Sequence, residues 1–365
     1  MDNFLAAAKA YQEGRFEDAE AGCRAVLSRM PSHPDARLLL ASILLGREQF
    51  AEADTIVAEA MADHSNDPDW LNLRGVALAR LGRREQALDF FDRAVELRLL
   101  FPAAQANLLA LLAERRDPTP RFRVSIITST IGSPHLPQTI ASVQEQTYPF
   151  VEHAIVADGP ECRERVRACL PDKPRHPVYL LELPFNVGGG GYCGHRSYAA
   201  LSFLVGGHYI GYLDDDNWLE PDHIASLMAK ITSEGLAWAY SLRKIVDRQG
   251  AFIANDDCES LGLWPTWYDA NVHHVDGNCY LFRRDLAVTT STIWHRRFRD
   301  GESPDFVVCR QLLKEHPRCG GNGAYTVNYR AGNTAASVNA DFFLRGNAVM
   351  KQRYGDAMPW RAALT

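Results

Sequence analysis

The chain has no pair of cysteines two residues apart. Its eight cysteines stand singly at 23, 162, 169, 193, 258, 279, 309 and 319. A zinc knuckle is therefore not expected, and free thiols in a cytoplasmic protein are. A basic excess is lacking too: the formal charge is −6, which leaves no electrostatic footprint for nucleic acid. No apolar run approaches the roughly 20 residues that span a bilayer. The most apolar stretch, Ala199 to Leu213, is broken by Gly206, Gly207 and His208 and reads as core. No basic-plus-apolar leader opens the chain, since Met1 leads straight into a helical pattern. What remains is a globular chain, 46% hydrophobic and 23% charged over 365 residues. That length suggests about two or three domains. The expected location is cytoplasmic, with peripheral attachment at a membrane as the variant.

What is present begins with a repeat. Residues 1–117 are rich in Ala, Leu, Arg and Glu. The stretches Gly14 to Ala19, Glu48 to Ala53 and Gly82 to Ala87 align, and Ala19, Ala53 and Ala87 are spaced by 34 residues. Pro34 and Pro68 punctuate the helix pairs. This period resembles the tetratricopeptide repeat. The third copy matches best, through Leu71, Gly75, Leu78, Gly82, Ala87, Phe91 and Ala94. A last helix near Pro102–Arg115 would cap the stack. Stacked helix pairs leave a face free for a protein partner or a second copy of the chain. The plainer reading is a spacer beside the next domain.

A linker at 118–122 follows, where Pro118 and Pro120 stop the helix. From 123 to 365 the pattern alternates strand and helix. Arg123–Thr130, Val151–Ala157, Val178–Leu183 and Tyr209–Leu213 read as buried parallel strands. Such alternation predicts an open α/β sheet with ligands at the carboxyl ends of its strands. Thr128, Asp158 and the triplet Asp214, Asp215 and Asp216 fall at such ends. Three adjacent carboxylates are stable when solvated, or when a hard cation such as Mg²⁺ or Mn²⁺ neutralises them.

Five segments in order resemble glycosyltransferase family 2. They are Val124–Thr130, the S-V-x-x-Q-T-Y run Ser142–Tyr148, Ile155–Gly159, Tyr212–Asn217 with Pro221-Asp222, and Gly277–Arg284 with its F-R-R. The resemblance covers about 122–330. In two places the chain departs from the family pattern. Ala157 stands where an Asp is usual, and Pro304 stands for the Glu of an E-D pair.

The resemblance implies an inverting GT-A enzyme, with the nucleotide-diphospho-sugar transferase domain behind the all-α repeats. It implies that Asp158 accepts a hydrogen bond from the donor base; the plainer role is capping the helix from Glu161. Thr128 would touch base or ribose, or simply lie inside a strand. Arg196 would meet phosphate, or open a helix in solvent. Asp216 would bind Mn²⁺ or Mg²⁺, with Asp214 and Asp215 touching sugar, ribose or metal. Asp305, at a helix N-terminus, would deprotonate the acceptor, with Asp300 and Glu302 as rivals. Trp264, Trp267, Tyr268, His273 and His274 would form core or an acceptor platform. The glycine run 188–191 fits no phosphate-loop spacing and reads as a loop near the donor. The stretch Tyr329–Ser337 would be a lid or a plain connection.

These readings converge on a metal-dependent inverting glycosyltransferase. The donor is a nucleoside-diphosphate sugar and the acceptor a glycan, a lipid-linked glycan or a protein. The alternative is an inactive transferase-like scaffold whose repeats bind a protein. A nucleotidyltransferase would need a basic run after the first strand, and Ile131–His135 has none.

Overall fold

The computed structural model describes residues 2–98, 100–115, 121–298, 302–333 and 337–361. The chain divides into two compact units, Met1–Arg115 and Arg116–Thr365.

The first unit is all helix: α1 (Asp2–Gln12), α2 (Phe16–Arg29), α3 (Pro34–Gly46), α4 (Phe50–Ala60), α5 (Pro68–Arg80), α6 (Arg84–Leu97) and α7 (Pro102–Arg115). Each helix packs on the next. Pro34 and Pro68 sit in the first turns of α3 and α5, where a missing N–H is harmless. The Asp67 side chain caps α5 by accepting from the Asp69 N–H. Ala19, Ala53 and Ala87 are fully buried at equivalent crossings. The turns at Gly14 and Gly82 need positive φ, 75° and 77°. The middle copy makes the same turn with Glu48 at φ 62°, a left-handed conformation that glycine would adopt more cheaply.

The second unit runs β1 (Val124–Thr130), α8 (Leu136–Gln144), β2 (Val151–Ala157), α9 (Arg163–Arg167), β3 (Val178–Glu182), α10 (His195–Leu204), β4 (Tyr209–Tyr212), β5 (Trp218–Leu219), α11 (His223–Glu234), β6 (Trp238–Val246), β7 (Phe252–Asn255), β8 (Tyr280–Arg283), α12 (Arg284–Trp294), α13 (Pro304–Glu315), β9 (Cys319–Arg330) and α14 (Ala340–Tyr354). Among the described residues one sheet holds all nine strands, ordered β3-β2-β1-β4-β8-β6-β9-β5, with β7 on β6. The first four strands pair in parallel, as their unbroken apolar runs predict. Every residue of β2 is buried. Beyond β4 the sheet turns mixed: β8 is antiparallel to β4 and to β6, and β9 is parallel to β6. The polar stretch after β2 is shorter than the pattern suggests. Pro160–Cys162 makes a 3-10 turn, and only Arg163–Arg167 is α-helical.

Around β6 a buried arginine organises the unit. The Arg243 guanidinium donates to Asp256 at 2.8 Å, to Glu259 at 2.6 Å and to Asp276. It also packs on the Tyr329 and Phe343 rings, 4.5 and 5.1 Å from their centroids.

Candidate active site

The carboxyl ends of β1, β2 and β4 open on a cleft of about 510 Å³. Asp158 lies just past β2 and is buried. Its two carboxylate oxygens accept from the Val187 and Gly188 backbone N–H groups at 2.6 and 2.8 Å. The Asn186 side chain donates to the Asp158 carbonyl at 3.0 Å. The glycine run is thus tied to the end of β2, and Gly188 and Gly189 line the cleft. Gly188 has to be glycine, because a Cβ there would lie 2.1 Å from the Cys193 carbonyl oxygen. Asp158 therefore caps a loop, not the short helix that follows it.

The acidic triplet follows β4, and each member has a different partner. Asp214 accepts from the Tyr198 hydroxyl at 2.6 Å and from the Asn278 amide at 2.9 Å. Burial, then the charges of Asp216 and Asp276, push its carboxyl up to about 7. Asp215 accepts from the Thr130 hydroxyl. Burial raises it to about 6, against that hydrogen bond. Asp216 accepts from the Asn333 amide at 2.7 Å, and its backbone carbonyl accepts from Arg330 at 3.0 Å.

This donor set fits a hard divalent cation. It offers half-buried carboxylate oxygens in which Asp214 and Asp215 already resist ionisation. No cluster of three acidic, histidine or cysteine side chains stands ready as a cation cage among the described residues. Mg²⁺ and Mn²⁺ sites in phosphate chemistry use only one or two carboxylates, with water and substrate oxygens supplying the rest.

Asp305 sits in the first turn of α13, where Pro304 occupies the first helical position. Ser303 donates to one of its oxygens. The His274 Nε2 lies 3.7 Å from the other, an ion-pair distance longer than a hydrogen bond. Burial opposes the charge on Asp305. His274, then His195, then Ser303 outweigh it and hold the carboxyl below its usual range. His195 opens α10 and lines the cleft. Burial holds its imidazole below the usual range.

Two expected site residues point elsewhere. Thr128 is fully buried inside β1, and its hydroxyl is 2.9 Å from His153 Nε2. Its strand neighbours Ser129 and Thr130 reach the cleft instead. Strand alternation puts Ser129 on the face opposite Thr128, while Thr130 shares the face of Thr128 but ends the strand, where the cleft opens. Arg196 does not line the cleft. It stacks on Tyr192, 3.4 Å from the ring centroid, and donates to the Val187 carbonyl at 3.3 Å. It braces the glycine loop.

The aromatic segment packs mainly on its own C-terminal neighbours, and Tyr268 keeps 45% of its surface exposed. Trp264 packs on Tyr354 and Trp360, and Trp267 on Tyr268 and Phe342. His273 bonds the Gly262 carbonyl at 3.0 Å. Of the Tyr329–Ser337 stretch, Tyr329, Arg330 and Ser337 line the cleft, while 334–336 lie outside the described residues. Asp300 also lies outside them. Glu302 pairs with Arg310 at 2.7 Å. Ala157 is fully buried among Leu136, Ile140 and Ile155. A carboxylate there would face apolar core, so alanine removes nothing from the cleft.

The sequence reading did not single out Thr130, Tyr198, Asn278 or Asn333. Asn278 lies inside the G-x-x-x-x-F-R-R segment, which was a usable signal. Thr130 ends the Val124–Thr130 segment, Asn333 lies in the Tyr329–Ser337 stretch and Tyr198 is an ordinary residue of α10; which of them meets an aspartate depends on tertiary neighbours.

Residues 125–288 match the family model described as Glycosyl transferase family 2, and residues 10–77 match that of the Tetratricopeptide repeat. No curated protein matches the chain. Among solved structures, S. aureus TarS 1-349 in complex with UDP-GlcNAc is 13% identical with a TM-score of 0.45, covering 66% of this chain and 71% of that one. A mutant of Thermobaculum terrenum O-GlcNAc transferase is 18% identical with a TM-score of 0.29 and covers 55% of this chain. The chain spans only 43% of that protein. The first TPR domain of human RPAP3 is 21% identical with a TM-score of 0.29, covering 30% of this chain and 86% of that one. At these identities the family models, not the structures, carry the assignment. Residues 125–288 belong to glycosyl transferase family 2, and they stand behind tetratricopeptide repeats.

Proposed function

We propose that the chain is a metal-dependent, inverting glycosyltransferase that moves a sugar from a nucleoside-diphosphate sugar to an acceptor hydroxyl. One observation carries this reading. Asp158 and the triplet 214–216 open on a single cleft. Asp305 is not in the lining of that cleft; it stands in the first turn of α13, 3.7 Å from His274.

The donor base and ribose would lie along the ends of β1 and β2, against Thr130, Asp158 and the glycine loop. Asp214, clamped by Tyr198 and Asn278, would orient the ribose or the sugar. Asp216 would hold a Mn²⁺ or Mg²⁺ ion, which offsets charge on the departing nucleoside diphosphate. Asp305 accepts the proton of the acceptor hydroxyl. The acceptor oxygen forms its bond to the anomeric carbon as the carbon–oxygen bond to the diphosphate breaks. The bonding pair leaves with the phosphate, and attack from the opposite face inverts the centre. The repeats would position the acceptor, or a protein that delivers it. That acceptor is a glycan, a lipid-linked glycan or a protein.

The test is a panel of UDP-, GDP- and dTDP-sugars, with and without Mn²⁺, read by thermal shift and by nucleotide release. Metal-dependent binding and turnover of one donor are expected. Asp216→Ala should lower turnover at least about 100-fold, a loss of several kcal/mol of charge stabilisation. Full turnover in that variant would remove the metal assignment. No metal-dependent shift with any donor would favour the binding scaffold.

A further inference from the structure

His274 is a buried side chain that the proposed reaction leaves without a task. It is 4% exposed, and neither ring nitrogen makes a hydrogen bond. Buried polar groups of this kind normally have a partner. The nearest ion-pair contact of His274 is with Asp305, 3.7 Å from Nε2 to Oδ2. The imidazole also stacks on Phe306, at 4.1 Å between centroids and 11° between planes. Phe306 follows Asp305 in the chain, so the stack registers the ring against the first turn of α13.

We propose that His274 is a positioning residue for Asp305, holding the carboxylate ionised and in one orientation from inside the protein. This rests on the reading of Asp305 as the acceptor base. Burial by itself favours the neutral acid, which cannot take a proton. A cation beside Asp305 weakens it as a base but keeps it ionised, and only the ionised form can act.

The charged surroundings agree. Burial of the imidazole is outweighed by Asp305 and then Glu259 in favour of the protonated ring. Arg243 opposes that protonation, but Glu259 faces it at 2.6 Å. His195, in the cleft wall, acts on Asp305 electrostatically, and Ser303 donates to it from the residue before α13. Among the described residues, Cys193, Tyr280 and Cys309 also feel the charge of Asp305.

The test has two arms on the full chain. In the first, histidine-labelled protein is titrated by NMR, with the His274 signal assigned by its loss in His274→Gln. Its midpoint should lie above the ordinary value of about 6.5 and fall by at least about one pH unit in Asp305→Asn. An unmoved midpoint overturns the pairing. In the second, nucleotide release from the UDP-, GDP- and dTDP-sugar panel is measured. His274→Gln should lower kcat about tenfold with donor KM within about twofold, and Asp305→Asn should lower kcat at least about a hundredfold. Phe306→Leu keeps both groups but loses the stack, and should fall between wild type and His274→Gln. If His274→Gln fails to fold, Phe306→Leu decides, together with the fall of one raised histidine midpoint in Asp305→Asn. Inactive Asp305→Asn beside a fully active His274→Gln overturns the proposal and spares the base. Fully active Asp305→Asn removes the base reading itself, and with it the task proposed for His274.

Discussion

In the helical repeats, ion pairs form a ladder on the surface. Arg24 meets Glu52, Arg47 meets Glu20, Arg83 meets Asp54 and Arg98 meets Asp69, across separations of 27 to 29 residues. In the α/β unit the same groups form a cage. Arg243 is ringed by Asp256, Glu259 and Asp276, at separations of 13, 16 and 33 residues. Arg24 and Glu52 are 44% and 41% exposed; Arg243 and Asp256 are 2% and 0%. The chemistry is shared and the solvent is not. An exposed pair contributes about 0.2–1 kcal/mol. Removing one partner of a buried pair costs about 3–5 kcal/mol, because the other charge is left uncompensated. The ladder decorates a fold that stacked alanines and leucines already hold. The cage fixes the strand and loops that carry Asp276 and, through Asn278, the position of Asp214.

The strongest way to break this contrast is Arg243→Met, which strips countercharge from three carboxylates. The expected loss is about 3–5 kcal/mol in the α/β unit. Six of the seven tryptophans lie in that unit, so denaturation followed by fluorescence reports it. A loss under about 1 kcal/mol would put the cage in the class of the surface ladder.

Next is a packing change in the repeats. A Cβ at Gly75 would stand 2.5 Å from Cε1 of the buried Phe91. Gly75→Val should cost about 1–3 kcal/mol through overpacking. Gly46→Ala, with nothing within 4 Å, should be tolerated. Circular dichroism melts compare the two. Equal melting of both variants would show that the helix crossing is looser than its geometry.

A smaller effect, about 1–2 kcal/mol, is expected from Asp305→Asn and should depend on pH, since this pair is neither exposed nor fully caged. The depressed carboxyl adds stability above its unfolded value of about 3.9 and loses it as the pH falls. The raised His274 adds stability below about 6.5 and loses it as the pH rises. The difference from wild type should therefore peak between about pH 4 and 6.5 and shrink on either side. Urea midpoints across that range test it. A difference constant with pH would remove the ion pair from the account.

The smallest effect belongs to the ladder. Arg47→Ala should cost less than about 1 kcal/mol, and about 1 M salt should erase the difference. A larger, salt-insensitive loss would mean that the ladder carries structural weight after all.

The repeats were legible because everything that makes them is close in sequence. Ala19, Ala53 and Ala87 mark helix crossings, Pro34 and Pro68 mark starts, and none of these needs a distant partner to be interpreted. Asp158 and the triplet were legible for a related reason: a polar residue ending a buried strand must emerge at the rim of the sheet. Thr128 was misplaced because it shares a strand face with Thr130 but lies two residues short of the strand end, inside the sheet against His153. Arg196 was misplaced because a helix-opening arginine can turn to solvent, phosphate or its own loop, and only the Tyr192 ring and Val187 carbonyl decide.

By itself, then, the sequence determined the periodicities, the order of strands and helices, and which acidic residues would reach a strand end. These depend on neighbours within a turn or a strand. Tertiary structure decided which groups hold those acids. Thr130 meets Asp215 across 85 residues, Asn278 meets Asp214 across 64, and Asn333 meets Asp216 across 117. Such contacts follow from sheet order, from β4 lying between β1 and β8, and from the chain returning through β9. No local pattern encodes that order, because it is settled by which apolar faces bury one another.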